Sequence, residues 1–208
     1  MANKQSGANS VKLSRAELTG VAGGTAQNAG TFSTKADLEK YLHDSGYLAE
    51  GQAMTDVVSG WNNISDADLE GRNVILGNGS ENVYGTDGND LIISFGDAVG
   101  ISGGAGDDII FGNSSDNIIS GGNGNDRIFG GNGTDFISGG DGNDDLHGGQ
   151  GDDFLSGDNG HDILLGGQGD DLLSAGAGAD VLLGGTGEDA FYGDENDVAI
   201  DSQFDQNP

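Results

Sequence analysis

Gly121-Gly-Asn-Gly-Asn-Asp-Arg-Ile-Phe129 decides the fold, because the same nine positions return as Gly148-Gly-Gln-Gly-Asp-Asp-Phe-Leu-Ser156 and Gly166-Gly-Gln-Gly-Asp-Asp-Leu-Leu-Ser174. Extended outward in one register, the unit Gly-Gly-x-Gly-x-Asp-x-(apolar)-x runs from Leu76 to Asp201 as fourteen consecutive copies. A period this regular must be read before local propensity: each copy is too small to bury a core alone and has to stack on its neighbours.

Within a unit, glycine at positions 1, 2 and 4 permits positive φ and close backbone approach, so six residues reverse the chain. The remaining three form a short strand whose middle residue, position 8, faces opposite to its two neighbours. Position 8 reads Val83, Ile92, Ile101, Ile110, Ile119, Ile128, Ile137, Leu146, Leu155, Leu164, Leu173, Leu182, Phe191 and Ile200. A disordered Gly/Asp-rich tract has no reason to keep an apolar residue at every ninth place. Two units make one coil, turn-strand-turn-strand. The expected fold is therefore all-β: a parallel β-roll of 18 residues per coil, with a small α-containing N-terminal cap. The expected division is 1–75 cap, 76–201 roll and 202–208 tail.

Charge follows the repeat. The formal net charge is −28, and 25 of the 35 acidic residues lie between residues 76 and 201 beside a single base, Arg127. A surface of this sign excludes nucleic acid and anionic membrane as partners, since both require basic patches. No apolar run approaches the roughly 18 residues of a membrane span. Cysteine is absent, which removes disulfides and thiolate metal sites. The start, Met1-Ala-Asn-Lys-Gln-Ser, has no apolar segment of a cleaved signal peptide. The expected routes are therefore residence in the cytoplasm or export by another path.

Stacking the coils places the sixth-position residues in two columns. Units on one side contribute Asp90, Asp108, Asp126, Asp144, Asp162 and Asp180, then Val198; units on the other contribute Glu81, Val99, Asn117, Asp135, Asp153, Asp171 and Asp189. We call these the even and odd rows. Carboxylates about 5 Å apart repel by roughly 1 kcal/mol per pair in water and by several times that beside a low-dielectric core. A cation between turns removes the penalty. The available ligands are carboxylate and glycine carbonyl oxygens in a flexible loop, which suit Ca²⁺; Mg²⁺ demands a tighter octahedron, and zinc or copper would want His or Cys. The ten aspartates of the two rows are the expected metal ligands. The even row is expected to hold about five ions, with a further one using carbonyls near Asp194. The odd row holds about three plus one at Asn117, for roughly eight to ten Ca²⁺ in all, with the odd side empty around Val99.

These units resemble the calcium-binding nonapeptides of the RTX (repeats in toxin) family over residues 76–201. The resemblance implies a parallel β-roll with calcium between adjacent turns. It also implies export from Gram-negative bacteria by type I secretion machinery with an uncleaved C-terminal signal, and so an extracellular or cell-surface location. By this reading the chain is a calcium-folding module of a larger secreted protein, an adhesin by preference, with the secretion module of a secreted enzyme as the alternative. Only seven residues follow the last unit, too few for the usual secretion signal, so a fragment of a longer protein is expected.

The rest of the chain is plainer. Ser33 or Thr34 caps a helix through Lys35–His43 with Leu38, Tyr41 and Leu42 on one face and Gly46 as its stop. A weaker helix is expected from Met54 to Trp61, and a loop from Gly20 to Gly30. Val74 and Ile75 already fit strand positions of a preceding unit. His43, His147 and His161 are read as surface residues. Gly100-Ile-Ser-Gly-Gly104 matches the Gly-x-Ser-x-Gly elbow in letters, but it straddles a repeat boundary with no helix to follow. With no His-Glu-x-x-His either, no catalytic constellation is visible and the chain is expected not to be an enzyme. Outward strand positions form an apolar stripe on one sheet (Ile93, Phe111, Phe129, Leu165, Leu183) and a serine ladder on the other, beside Ile118, Phe136, Phe154 and Leu172. Either the cap covers them or they meet a surface or carbohydrate ligand. An ice-binding array is disfavoured, because position 3 offers only one threonine, Thr186.

Overall fold

The computed structural model describes residues 27–56 and 58–201. The predicted tail at 202–208, and the part of the predicted Gly20–Gly30 loop before Gln27, lie outside the described residues.

The N-terminal region supplies strand β1 (Gln27–Gly30) and helix α1 (Lys35–Ser45). The roll then supplies β2 (Asn73–Gly77), β3 (Val83–Tyr84), β4 (Asp90–Ser94), β5 (Gly100–Ala105), β6 (Ile109–Phe111), β7 (Ile118–Asn123), β8 (Arg127–Asn132) and β9 (Phe136–Asp141). It continues through β10 (Asp145–Gln150), β11 (Phe154–Asn159), β12 (Ile163–Gln168), β13 (Leu172–Ala177), β14 (Val181–Thr186), β15 (Ala190–Tyr192) and β16 (Val198–Ile200). Alternate strands separate into two sheets. The even-numbered strands and β1 make one of nine strands, in the order β1-β2-β4-β6-β8-β10-β12-β14-β16; the odd-numbered strands from β3 to β15 make one of seven. Pairing within the roll is parallel, and Ile128 faces Leu146 as Leu146 faces Leu164, an 18-residue step. This is the expected parallel β-roll of about seven turns.

The core between the sheets is the position-8 column. Twelve of its members, Val83 through Leu182, are buried in one continuous cluster, and Phe191 packs against its end. The fourteenth corrects the sequence reading. β16 pairs with β14 as Val181↔Val198 and Leu182↔Ala199. The last coil is therefore one residue short: Ala199 takes the place assigned to Ile200, which is instead 50% exposed.

Helix α1 forms as predicted. The hydroxyl of Thr34 accepts from the Asp37 amide at 3.1 Å, and Gly46 ends the helix at φ 84°, its amide donating to the His43 carbonyl. Among the described residues the expected helix from Met54 to Trp61 does not form. Short 3-10 turns at Met54–Asp56, Trp61–Asn63 and Asp66–Leu69 stand there instead. Gly60 leads into the second of these turns: at φ 82° it lies against Phe129, with no room for a Cβ, which would lie 2.5 Å from the ring. Nor is Gln27–Gly30 loop; it adds antiparallel to β2 and shields the sheet edge.

The N-terminal region also does more than seal the first coil. It lies over the outer face of the nine-stranded sheet, where Leu38, Leu42, Met54, Trp61 and Leu69 form one cluster with Leu91, Ile93, Ile109, Phe111 and Phe129. Trp61 tilts against Phe111 with ring centroids 5.9 Å apart, and Phe111 stacks on Phe129 at 4.9 Å. The Trp61 indole N–H donates to Glu39 at 2.8 Å, and Lys35 Nζ sits 4.6 Å over its ring. Among the described residues no helix is long and apolar enough to cross a membrane.

Trp61 is 1% exposed, so Trp61→Ala removes the largest plug between cap and sheet. It is expected to cost about 3–5 kcal/mol, read as a lowered urea midpoint of the calcium-loaded protein. An unchanged midpoint would contradict the packing described.

Candidate metal centre

Close stacking of the turns follows from glycine. Gly122 has φ 120° and Gly124 φ 124°; a Cβ at either would lie 2.0 or 2.2 Å from the carbonyl oxygen of Gly104 or Gly106 in the coil before. Among the described residues the sole non-glycine at positive φ is Asp158, at 68°. It occupies the second position of its unit, and its carboxylate accepts from the hydroxyls of Ser138 and Ser156 at 2.5 and 2.9 Å. That local hydrogen bonding offsets the conformational cost.

The tight turns carry the sixth-position carboxylates inward. Asp108, Asp126, Asp144, Asp162 and Asp180 on the even side, and Asp135, Asp153 and Asp171 on the odd side, are each no more than 2% exposed; Asp189 is partly buried. One oxygen of each is used in a repeating way. Asp126 Oδ1 accepts from the Asp108 amide, Asp144 Oδ1 from Asp126 and Asp162 Oδ1 from Asp144, at 2.7–2.8 Å. On the odd side Asp135, Asp153 and Asp171 accept from the amides of Asn117, Asp135 and Asp153 at 2.8 Å. The other oxygen has no partner. Nine such Oδ2 atoms are buried and unsatisfied, those of Asp108, Asp126, Asp135, Asp144, Asp153, Asp162, Asp171, Asp180 and Asp189. A buried carboxylate oxygen left unpaired is costly enough to call for a ligand.

The free oxygens of Asp108, Asp126, Asp135, Asp153, Asp162 and Asp171 have company of their own kind. A Cβ built on Gly121 would lie 2.2 Å from Asp126 Oδ2 and 2.7 Å from the carbonyl oxygen of Gly139 in the next coil. Gly130 sees Asp135 Oδ2 and Gly148 O at 2.4 and 2.7 Å, and Gly166 sees Asp171 Oδ2 and Gly184 O at 2.3 and 2.7 Å. Carboxylate and carbonyl oxygens from adjacent coils therefore converge beside the first-position glycine, where a side chain would fill the space. Among the described residues no three acidic or histidine side chains form a cluster of their own, so ligation here must draw on backbone carbonyls. An all-oxygen, partly backbone donor set suits calcium.

Burial, reinforced by neighbouring carboxylates, pushes Asp108, Asp135, Asp153 and Asp171 up to about 7. Burial likewise raises Asp126, Asp144 and Asp162 to about 6. The amide donated by the previous coil opposes the shift in each case without cancelling it.

The start of each row is different. Both oxygens of Asp90 are occupied: Oδ2 accepts from the Thr86 amide at 2.6 Å and Oδ1 from the Asn73 side-chain amide at 2.8 Å. Arg72, half-buried, donates to the carbonyls of Asp107 and Asp90. It thus brings a protein cation to the head of the even row, where it draws the Asp108 and Asp126 carboxyls downward. Asn117 closes on itself, its Oδ1 accepting from the Asn113 amide at 3.0 Å and its Nδ2 donating to the Ala98 carbonyl at 2.8 Å. Val99 is 49% exposed, and Glu81 is exposed. Of the ten predicted ligands the structure thus brings nine into the two unsatisfied rows and gives Asp90 protein donors.

Two residues escaped the sequence reading. Arg72 precedes the repeat and carries no motif. Asp197 stands 17 residues after Asp180, so a nine-residue ruler reads Val198 at that place, yet Asp197 Oδ1 accepts the Asp180 amide at 3.0 Å. His147 is not merely solvated either: it stacks on Phe129 at 4.7 Å and bonds to Asp145 through Nε2 at 2.9 Å. His161 is exposed in its turn, as expected, with Nδ1 accepting the Ala179 amide. Ser102 lies within strand β5 opposite Ser120 and forms no nucleophile elbow.

Rows of inward carboxylates and turn carbonyls along a parallel β-roll define a repeat protein built to bind oxygen-liganded cations. The chain matches the RTX calcium-binding nonapeptide repeat over residues 70–98 and 102–197, in overlapping segments. It therefore belongs to the RTX calcium-binding repeat family. No curated protein and no solved structure matches it.

The raised carboxyl pKa values give the calcium-free roll a distinct pH response. A carboxyl whose folded pKa exceeds its unfolded one favours folding in full below about pH 4 and loses that contribution as pH rises through 6 to 7. Without calcium the thermal midpoint is therefore expected to fall between pH 5 and pH 8. With saturating calcium the trend reverses, since the metal must displace those protons. Melting curves at both pH values check the crossing, and parallel trends would contradict it.

Proposed function

We propose that this chain is a calcium-triggered folding module of a larger extracellular protein, exported unfolded through type I secretion machinery and folded outside the cell. The observation that supports the reading is the set of nine buried, unpartnered carboxylate oxygens. Without a cation they oppose coil stacking; bound calcium supplies the neutralising charge and the missing partners. An ion that binds only the folded chain adds about 2.7 kcal/mol at a hundredfold excess over its dissociation constant, so several ions outweigh a thin core. A calcium-poor cytoplasm then keeps the roll open for export and a calcium-rich exterior closes it. The module acts by binding and structure rather than by catalysis, and an adhesin is the favoured parent, with a secreted enzyme as the alternative.

A second reading, attachment to a neutral surface ligand such as carbohydrate, is favoured by the outer face of the seven-stranded sheet. There Ile118, Phe136 and Phe154 are 59%, 49% and 40% exposed, and Phe136 stacks on Phe154 at 4.6 Å. Ser120, Ser138 and Ser156 run alongside. This strip carries aromatic rings and hydroxyls on a chain that is otherwise strongly acidic.

Circular dichroism separates calcium-gated folding from constitutive folding. In chelator the strand signal of the roll is expected to be weak, and millimolar calcium restores it cooperatively. An equal strand signal in both conditions would overturn the proposal.

A further inference from the structure

We propose that the outer face of the seven-stranded sheet is a self-association surface, on which a second copy of the folded roll packs about a two-fold axis parallel to the roll. The proposal goes beyond the calcium reading and gives this face a protein occupant in place of a carbohydrate. Charge singles the face out. The chain has a formal net charge of −28, yet none of the residues at positions 7 and 9 of the units that build this sheet is charged. The nine-stranded sheet, by contrast, places Arg127 and Asp145 at position 7. A second copy, repelled by the acidic turns elsewhere, meets an uncharged strip here.

Shape selects the partner. On four successive strands a large apolar residue at position 7, Ile118, Phe136, Phe154 or Leu172, is followed at position 9 by serine. Parallel register carries both columns straight across the strands, Phe136 beside Phe154 and Ser138 beside Ser156. The surface is thus a ridge beside a shallow row. On the last strand, β15, the order reverses to Ala190 and Tyr192, and Tyr192 is 63% exposed. A two-fold axis running along the roll above the position-8 column sets position 7 of one copy over position 9 of the same strand in the other. Each phenylalanine then sits on a serine and Tyr192 on an alanine, large on small in both directions. Only a roll with the same 18-residue step keeps that fit from coil to coil, which is why the occupant is a second copy.

The contact leaves the middle of the row satisfied, because the hydroxyls of Ser138 and Ser156 already donate to Asp158. The half-exposed ridge supplies the apolar surface to be removed from water. Six-residue strands about 4.8 Å apart give the face roughly 30 Å by 20 Å, about 600 Å² of flat area before side-chain relief is counted. That is near the roughly 800 Å² each partner buries in a standard interface. The exposed turn carboxylates of Asp116, Asp152 and Asp170 flank the ridge as a rim, so salt that screens their repulsion favours association.

Sedimentation equilibrium of the full chain in millimolar calcium tests this. A concentration-dependent dimer is expected, tighter at higher sodium chloride. Phe136→Glu is expected to raise its dissociation constant by roughly tenfold or more, with the circular dichroism of the calcium-loaded chain unchanged. Ile163→Glu, at a residue 47% exposed on the other sheet, leaves the dimer unaltered. Ser120→Ile, which sets large against large, weakens the dimer, and Ile118→Ser added to it restores the fit. A folded chain that stays monomeric throughout the micromolar range, whether or not it binds a soluble neutral polysaccharide, would overturn the proposal. So would a dimer indifferent to Phe136→Glu, or one lost equally in Ile163→Glu.

Discussion

The structure depends on one electrostatic conflict. Parallel stacking of 18-residue coils delivers a carboxylate to the same place on each turn, and the turn's own glycines leave it buried against carbonyl oxygens of the next coil. One oxygen is satisfied by an amide from the coil before; the other meets only negative atoms. Protonation can relieve the conflict, which is why burial carries Asp108, Asp135, Asp153 and Asp171 up to about 7. A divalent cation relieves it better at neutral pH, because it neutralises two neighbouring charges and supplies a partner to the carbonyls as well. The same atoms therefore repel one another without metal and become a donor set with it.

The conflict is not uniform along the roll. At the N-terminal end Thr86 and Asn73 satisfy Asp90, Arg72 brings a guanidinium beside it, and Asn117 replaces a charge with an amide. There too the cap packs Trp61, Phe111 and Phe129 into a second apolar cluster outside the sheet. Among the described residues the apolar cluster over the outer face ends at Phe129, whereas the unpartnered carboxylate oxygens begin at Asp108 and continue to Asp189. The chain thus joins a first stretch covered by the cap's side chains to a second whose buried carboxylate oxygens lie outside that cover.

Much of this is legible in the sequence because the repeat registers both core and ligand. The alternation of Ile128 inward with Arg127 and Phe129 outward follows from strand geometry, and the unsatisfied oxygens fall on the sixth-position aspartates from Asp108 and Asp135 onward. Thr34 and Gly46 mark α1 because capping is local. Where the ruler breaks, legibility ends. The first and last coils step by 17 residues, Asn73 to Asp90 and Asp180 to Asp197, so pattern alignment misses Asp197 and places Ile200 in the core. β1 has weak strand propensity and exists because an edge of β2 needs a partner. Around Trp61 the chain packs over the sheet, Gly60 against Phe129 and Trp61 against Phe111, contacts between residues far apart in sequence that a helix pattern does not register.

Anomalous diffraction at a calcium-sensitive wavelength, on crystals grown in calcium, tests the central claim most directly. The account predicts two unequal rows of anomalous peaks, each peak beside an unpartnered Oδ2 and a carbonyl of the following coil. The even row runs from Asp108 to Asp180, the odd row begins only at Asp135, and no peak lies beside Asn117 or Val99. Rows of equal length from the first coil, or peaks on the exposed turn carboxylates with the buried oxygens left bare, would contradict it.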